Sequence, residues 1–486
     1  MRAVHTVAEI RLAEEALLAR TGEGQLMLRA ATGLAHTCAA VLTQSRGLVY
    51  GAHVVLLVGS GNNGGDALFA GAQLAARGAS VTTVRVSDEM HGRGGTAFLR
   101  AGGRVLSGDD PAAERVIAAA DMVVDGILGI GGRGGLIGRA AELAGAATEG
   151  PAVVVAVDLP SGVDADTGVV TGEAVWADVT VTFGAPKPGL FISPGADHVG
   201  LLETIDIGLA DELVVPSIAT CEAVDVARLL PHPVPSDHKY SQGVVGIAAG
   251  SVRYPGAAVL VVGAALLAKP GLVRYSGAAA PEVVAAWPSA IVSTATPAEV
   301  GRVHAWAVGP GLGVDAAGEQ ALSEVLKQRL PTVIDADALT ILSQHPGVLN
   351  GGAATTVLTP HEGEFARLAP DLDATTDRIA AVRALAVRTS CTVLLKGSTT
   401  VIAGPDGQVR LNPTGTPWLA TAGTGDVLTG MIAAYLAAGL SPMDAAATAA
   451  FVHGLAGRLA SSGAPCSSRD VLDSIPDAIR DITAPQ

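Results

Sequence analysis

The chain has 486 residues, and this length allows two to four domains. Hydrophobic residues make up 49% and charged residues 16% of a chain with 61 glycines, a composition typical of an α/β enzyme with large buried cores. The net charge of −15 argues against nucleic acid or an anionic membrane as a partner, although it leaves room for a local basic pocket that binds a nucleotide.

Cysteine usage and hydropathy predict the compartment. The four cysteines are scattered without metal-site spacing, which favours free thiols in a reducing cytoplasm. The N-terminus has no apolar core of signal-peptide length, and the apolar run 256–268 is too short to cross a bilayer. We therefore expect a soluble, cytoplasmic protein.

The first half alternates predicted helices and strands. Thr6 and Glu9 form a capping-box pattern, which predicts a helix to about residue 19, and a second helix is expected over 25–42. Strands are expected at 53–58, 81–86, 122–125, 152–157, 178–183 and 201–207. This alternation predicts a parallel sheet with right-handed crossovers, and ligands bind such sheets beyond the carboxyl ends of the strands.

Residues 59–66 form a glycine-rich loop after the first of these strands. Gly59, Gly61 and Gly64 match the dinucleotide pattern G-x-G-x-x-G, which is a weak signal alone. Asp66 places a carboxylate where a pyrophosphate should meet the helix, and the asparagines at 62–63 add amide oxygens. The loop therefore indicates a polar ligand and a monovalent cation rather than an ordinary dehydrogenase site.

Three strand-end loops carry acids flanked by glycine: Asp66, Asp125 and Asp158. Because parallel strands end at one edge of the sheet, we expect the three acids to face one crevice and form a site. Lys187 follows in a Gly/Pro-rich segment. It could meet an acidic substrate group, but solvation is the favoured interpretation.

Residues 1 to about 212 resemble the NAD(P)HX epimerase domain, which interconverts the R and S forms of hydrated NADH and NADPH. The resemblance rests on the motifs GNNGGD (61–66), VDGILGIG (124–131) and DLPSG (158–162). It implies substrate contacts from Asn62, Asn63, Gly64, Gly65, Asp66, Gly129, Ile130, Gly131, Gly132, Arg133, Gly134, Gly135 and Asp158. It also implies a potassium ion held by Asn63, Asp125 and Ser161. Ala67 stands where family members often have glycine.

A proline-rich junction over 211–236 separates the halves. We place the first domain at 1–214, with a Rossmann-like fold, and the second at 219–486. The second half repeats the pattern of strands that end in small or polar loops, at 244–249, 303–308, 332–337, 355–358 and 392–396. A hairpin is expected to join 400–403 to 408–411 through the turn 405–407.

Residues 423–426, which read Gly-Thr-Gly-Asp, precede an apolar helix. The glycines let backbone N–H groups converge, and the helix start adds further donors and a positive dipole end. This arrangement binds a phosphate. Asp426 at its mouth is well placed to take a proton from a substrate hydroxyl, although it could merely cap the helix.

Other polar residues at these strand ends have two interpretations each. His361 could contact substrate or cap the following helix. Lys396 at a strand end beside Gly397 is well placed for a nucleotide phosphate. Asp335 and Asp337 could bind magnesium, but capping of the next helix is favoured.

Residues 219–486 resemble the ADP- or ATP-dependent NAD(P)HX dehydratase, a ribokinase-like domain. The motifs are HKYSQG (238–243), YPGA (254–257), GPGLG (309–313), TPHEGE (359–364), KGSTT (396–400) and TAGTGD (421–426). The resemblance implies substrate contacts from Ala257, Gly311, His361 and Asp426. It implies nucleotide contacts from Lys396, Gly397, Ser398, Thr399, Thr400 and Gly425.

The whole chain is thus expected to be an α/β enzyme of two three-layer domains that repairs hydrated NAD(P)H. Asp426 would be the base for transient phosphorylation of the ring hydroxyl by ADP or ATP, and Asp158 is our candidate for proton transfer in the epimerase. The expected cofactors are potassium and magnesium, and the expected assembly is a homo-oligomer without nucleic acid or membrane partners. The alternative is a small-molecule kinase with a stable phosphorylated product and a non-catalytic, ligand-binding first domain.

Overall fold

The computed structural model describes residues 1–21, 24–269, 271–349 and 355–484. The chain divides into two compact units, of which the first is Ala3–Pro216 and the second is Ser217–Gln486 together with Met1–Arg2. The predicted boundaries at 214 and 219 lie on either side of this division and stay a prediction.

The elements up to residue 216 alternate between strands and helices. In chain order they are β1 (Arg2–Val4), α1 (Val7–Thr21), α2 (Gln25–Arg46), β2 (His53–Val58), α3 (Asn62–Ala76), β3 (Ser80–Arg85), α4 (Gly92–Arg100), β4 (Arg104–Ser107), α5 (Ala112–Ala118), β5 (Met122–Gly126), α6 (Gly138–Glu149), β6 (Val153–Val157), β7 (Val179–Phe183) and β8 (Leu201–Ile205). The capping box at the start of α1 is present, since Thr6 N donates to Glu9 Oε2 at 2.8 Å.

The first unit contains a seven-stranded sheet with the order β4-β3-β2-β5-β6-β7-β8, in which every neighbouring pair is parallel. Helices α1 to α4 pack on one face through residues such as Leu34 and Leu68, and α5 and α6 pack on the other through Ile117 and Leu143. The order reverses between β2 and β5, so the loops that follow these strands flank a crevice.

The elements of the second unit follow the same alternation. They are β9 (Ile218–Thr220), α7 (Ala223–Leu229), β10 (Val244–Ala248), α8 (Pro255–Ala268), β11 (Leu272–Ser276), α9 (Ala280–Ala286), β12 (Ile291–Ser293), β13 (Ala305–Val308), α10 (Ala316–Lys327), β14 (Thr332–Ile334), α11 (Asp337–Gln344), β15 (Thr356–Leu358), α12 (Glu362–Leu368), α13 (Arg378–Thr389), β16 (Thr392–Leu395), β17 (Thr400–Ala403), β18 (Val409–Asn412), α14 (Thr424–Ala437), α15 (Pro442–Ser461), α16 (Ser468–Asp473) and α17 (Ile475–Thr483).

The second sheet has the order β1-β9-β18-β17-β16-β15-β14-β13-β10-β11-β12. The strands from β16 to β12 are parallel, whereas β16, β17 and β18 are antiparallel through the predicted hairpin. Here the order reverses between β10 and β13, and helices α8, α14 and α15 bury their apolar residues in one core. The predicted α/β class with two three-layer domains is confirmed.

One described helix, Gln25–Arg46, is long and apolar enough to cross a membrane by length and composition, with a mean hydropathy of 1.3 over 18 residues. Half of that window is buried inside the structure, where Leu34, Cys38 and Leu42 belong to the core of the first unit. The core helix of a globular unit has the same properties, and this burial accounts for the apolar composition of α2.

Candidate active sites

A cavity of about 570 Å³ lies in the first unit beside the reversal point of the sheet. The loops after β2 and β5 form two of its walls. The predicted contacts that line it are Asn62, Asn63, Asp66, Gly129, Ile130, Gly131, Gly132 and Asp158. Gly64 and Gly65 are buried within α3, and Arg133, Gly134 and Gly135 follow the lining part of the loop after β5.

Close backbone approach explains the glycines of these loops. A methyl group on Gly64 would lie 2.3 Å from the carbonyl oxygen of Gly59, so a side chain there would clash with the loop after β2. A methyl group on Gly126 would lie 2.7 Å from Cβ of Ala67. Ala67, the departure from the family pattern, therefore fits because its neighbour across the reversal point is glycine.

Asp158 is held in place by a buried lysine. Its φ of 68° lies in the left-handed region, which strains a residue other than glycine. Its Oδ1 pairs with Lys187 Nζ and also accepts from Thr182 Oγ1 at 3.2 Å and from Phe183 N at 3.3 Å. Lys187 is 1% exposed, so the favoured prediction that it is solvated is wrong. The negative charge of Asp158 compensates the positive charge of the buried Lys187 ammonium.

Asp66 has a different environment in the same cavity. It is 9% exposed, and its Oδ1 has no hydrogen-bond partner among the described residues. Burial, together with the negative charges of Asp158 and Glu14, raises the pKa of Asp66 well above its ordinary value. The protonated, neutral form of this carboxyl is therefore favoured.

Helix α1 supplies two cavity residues that the sequence analysis missed. Arg11 and Glu14 line the cavity, and Arg11 Nη2 donates to the carbonyl oxygen of Ile130 at 3.2 Å. Burial and the charge of Asp158 raise the pKa of Glu14. Charged residues on an amphipathic helix are expected to face solvent, so the sequence carried no signal that would have found them.

The three residues predicted to hold potassium lie together around Leu128. Ser161 Oγ donates to Asp125 Oδ1 at 2.7 Å and accepts from Leu128 N at 2.8 Å, while Asn63 Nδ2 donates to Leu128 O at 3.0 Å. Asp125 is fully buried, and burial raises its pKa to about 6. These carboxylate, hydroxyl and carbonyl oxygens fit a cation, because a positive ion would compensate the buried carboxylate.

In the second unit, Asp426 lies in the first turn of α14. Gly423 precedes the helix with a φ of 90°, which lets the loop turn sharply into the helix start. Asp426 is partly buried, and burial together with the nearby negative charge of Asp335 raises its pKa to about 7. A group with this pKa is suited to act as a general base near neutral pH.

Lys396 lies near Asp426 and interacts with two further carboxylates. Its Nζ donates to Asp335 Oδ1 at 2.7 Å and lies 3.9 Å from Glu364 Oε2. Burial acts to lower the pKa of Lys396, but the charges of Asp335 and Glu364 outweigh burial, and the pKa is raised. A methyl group on Gly425 would lie 3.4 Å from Nζ, so the ammonium lies against the start of α14. The predicted nucleotide contact of Lys396 stays a prediction.

Asp335 and Asp337 do not play the favoured capping role. The residue that precedes α11 is Ala336, and its side chain makes no capping hydrogen bond. Asp335 accepts from Thr429 Oγ1 at 2.6 Å besides pairing with the lysine, and Asp337 Oδ2 accepts from Gly313 N at 2.9 Å. The described residues contain no cluster of three His, Cys, Asp or Glu side chains that could hold a metal ion. The predicted magnesium therefore has no ready set of ligands within the described chain.

The remaining predicted residues fall on neighbouring loops. A methyl group on Gly311 would lie 2.9 Å from Cβ of Ala257, so the start of α8 meets the loop after β13 at the reversal point. His361 caps α12, since its Nδ1 accepts from Gly363 N at 3.0 Å. Its substrate contact stays a prediction, as do the nucleotide contacts of Gly397, Ser398, Thr399 and Thr400, which follow β16 or begin β17.

Two family models match the chain, one within each unit. The family model described as YjeF-related protein N-terminus matches residues 23–189, and the model described as NAD(P)H-hydrate dehydratase matches 245–476. A solved ribokinase-like superfamily protein from Enterococcus faecalis V583 has a TM-score of 0.52 at 26% identity, and the match covers 56% of this chain and 99% of that chain. The second unit is thus a ribokinase-like domain.

Two relatives match nearly the whole chain. The bifunctional NAD(P)H-hydrate repair enzyme Nnr of Mycobacterium tuberculosis is 50% identical over 450 residues, which cover 92% of each chain. The enzyme of the same name from Mycobacterium leprae is 49% identical over 465 residues and 95% of each chain. The chain belongs to the family of bifunctional NAD(P)H-hydrate repair enzymes.

Proposed function

We propose that the protein repairs hydrated NADH and NADPH through two activities, one in each unit. The first unit interconverts the R and S epimers of the hydrate. The second unit dehydrates the S form with ADP or ATP. The family relationship supports the substrate, and one observation carries the chemistry of the second unit: Asp426, with a pKa of about 7, lies at the start of α14 near the partly buried ammonium of Lys396.

The dehydration needs a good leaving group, because hydroxide leaves poorly from the reduced ring. Asp426 accepts the proton of the ring hydroxyl as its oxygen attacks the terminal phosphate of the nucleotide. Phosphate then departs from the ring with the electron pair of the C–O bond, and loss of a ring proton restores the double bond. The backbone N–H groups of residues 423–425 and the Lys396 charge stabilise the transferring phosphoryl group.

The two ions have unequal support. Asn63, Asp125 and Ser161 would hold potassium, whose charge would compensate the buried Asp125 carboxylate. Thermal unfolding in potassium chloride against sodium chloride, with wild type and Asp125→Asn, tests this site. Magnesium would enter the second unit with the nucleotide phosphates, which supply the oxygens that the carboxylates around Lys396 do not offer. The cytoplasmic location and the homo-oligomeric state stay predictions.

The direct test supplies purified protein with the S form of the hydrate and ADP or ATP, and follows the absorbance of the reduced nicotinamide. Recovery of that absorbance only with nucleotide supports the dehydratase. The ribokinase-like fold also favours a second candidate, a kinase that makes a stable phosphorylated product. A lasting phosphorylated metabolite without recovery of the reduced ring would support the kinase and contradict the dehydratase.

A further inference from the structure

Two carboxyls line the cavity of the first unit, and their hydrogen-bonding partners differ. Asp158 pairs with the ammonium of Lys187 and accepts two further hydrogen bonds, so three donors fix the position of its carboxyl. Asp66 is buried with one oxygen unpartnered, and no described cation forms an ion pair with it. Paired acids in contrasting environments are the arrangement that supplies one proton donor and one proton acceptor.

We propose that Asp66 is the proton donor and Asp158 the proton acceptor when the first unit epimerises the R hydrate, with Lys187 as the positioning residue for Asp158. This inference rests on the proposed epimerase function. The two carboxyls reach the cavity from different elements, since Asp66 lies on α3 and Asp158 follows β6. A donor and an acceptor carried by separate elements suit a reaction that moves a hydroxyl from one face of a ring to the other.

The chemistry balances without a redox partner. The hydroxyl of the hydrate is carried by the ring carbon bonded to the ring nitrogen. The C–O bond breaks as the nitrogen lone pair forms a C=N bond, and the proton of Asp66 lets the oxygen leave as water. Water then adds to the opposite face of the carbon, the C=N electron pair returns to nitrogen, and Asp158 takes the proton that the water loses. Exchange with solvent restores both carboxyls.

The surroundings of Asp66 keep its proton in place until the substrate arrives. Burial and the charges of Asp158 and Glu14 raise its pKa, so the donor form is present at low pH and is lost as pH rises through the raised pKa. The charged or titratable groups that share the walls of its two adjoining cavities are Arg11, Glu14, His91, Arg93, Arg100, Asp158 and Lys187. Of these, Lys187 is already paired with Asp158.

The experiment follows conversion of the R hydrate to the S hydrate by the full-length chain without nucleotide, so that dehydration does not run. The epimers are separated by chromatography, and the uncatalysed rate is subtracted. We expect Asp66→Asn and Asp158→Asn to lower kcat by about 10²–10⁴-fold with little change in KM. Asp66→Glu, which keeps a carboxyl, should retain part of the rate. The matched control is Asp109→Asn, because Asp109 is exposed on the loop after β4.

A second measurement runs the wild-type reaction in water labelled with ¹⁸O. Breaking the C–O bond requires the label to enter the product hydroxyl, whereas ring opening at nitrogen and reclosure does not require any exchange of the oxygen. Lys187→Met should lower kcat with little change in KM, because Asp158 then loses the ammonium that positions it. Lys187→Arg keeps a cation beside Asp158 and should restore part of the rate, and that rescue distinguishes positioning from a purely structural role.

The outcomes distinguish failure of the epimerase function from failure of the roles assigned to Asp66 and Asp158. If wild type shows no conversion above the spontaneous rate, the epimerase function itself fails. If wild type converts the hydrate but Asp66→Asn or Asp158→Asn does so equally well, the function stands and the assignment of that carboxyl is overturned. Absence of ¹⁸O from the product would overturn the C–O cleavage step. Preserved dehydration by the same variants shows that the loss is confined to the first unit.

Discussion

The two units solve the same structural problem at their sheet reversal points. Each places a small pair at the reversal point, Ala67 against Gly126 in the first unit and Ala257 against Gly311 in the second. Each also pairs a lysine with one buried carboxylate and leaves a second carboxyl nearby with a raised pKa. The recurrence indicates that a ligand site at such a sheet edge needs close backbone approach and an unequal pair of acids.

The units differ in where the unpaired carboxyl lies. Asp66 lies on the wall of a cavity, with one oxygen buried and without a partner, and its surroundings favour the protonated form. Asp426 is only partly buried at a helix start, with a pKa of about 7, so it is ionised in a large fraction of molecules at neutral pH. The first environment suits a proton donor, and the second suits a base that meets a phosphate at the N-terminus of a helix.

The largest expected effect comes from Asp426→Asn. Loss of the base should lower the rate of dehydration by about 10²–10⁴-fold and leave epimerisation unchanged, because Asp66 and Asp158 belong to the other unit. Absorbance of the reduced nicotinamide measures the first activity, and epimer separation measures the second. The exposed Asp481→Asn in α17 is the matched control. Loss of both activities in a folded variant would contradict two separate sites.

The next comparison is between Lys187 and Lys396, and the quantity compared is the free energy of unfolding. Lys187→Met leaves the largely buried Asp158 without a counter-charge, which should lower the free energy of unfolding of the first unit by about 3–5 kcal/mol. Lys396→Met should cost less, because Lys396 is 20% exposed and water reaches its site. Urea unfolding followed by far-ultraviolet circular dichroism measures both.

The double variant Lys187→Met with Asp158→Asn is the control for this loss of charge. It should recover part of the lost stability, because no uncompensated charge remains in the cavity. No recovery would show that packing of the lysine, rather than its charge, accounts for the effect.

Much of the fold and part of each site could be predicted from the sequence, since the signals are local. Buried strands such as 53–58 and the glycine loops that follow them are short contiguous patterns. The role of Lys187 could not be predicted, because nothing near it in sequence shows that Asp158 lies beside it. Glu14 was missed and the favoured capping role of Asp335 was wrong for the same reason: their partners are distant in the chain, and only the folded sheet brings them together.

The pH dependence of the two activities should differ in sign. Dehydration needs ionised Asp426, so its kcat/KM should rise about tenfold per pH unit below pH 7 and level off above, since burial raises the Asp426 pKa to about 7. Epimerisation needs protonated Asp66 and should fall at high pH. Asp337→Asn removes a negative charge that raises the Asp426 pKa, so it should shift the rise in dehydration to lower pH. An unmoved profile would mean that another group controls the rate.

The smallest effects test the small pairs at the reversal points. Ala67→Gly places glycine inside α3 and should lower the free energy of unfolding of the first unit by about 1 kcal/mol, because glycine is the poorer helix former. Ala257→Gly should cost less, since Ala257 lies in the first turn of α8 and is only half-buried. Urea unfolding measures both differences. Because glycine at either position still permits the close approach at the reversal point, both activities should stay close to those of wild type. A large loss of epimerisation in Ala67→Gly would show that the methyl group shapes the cavity rather than merely fitting beside Gly126.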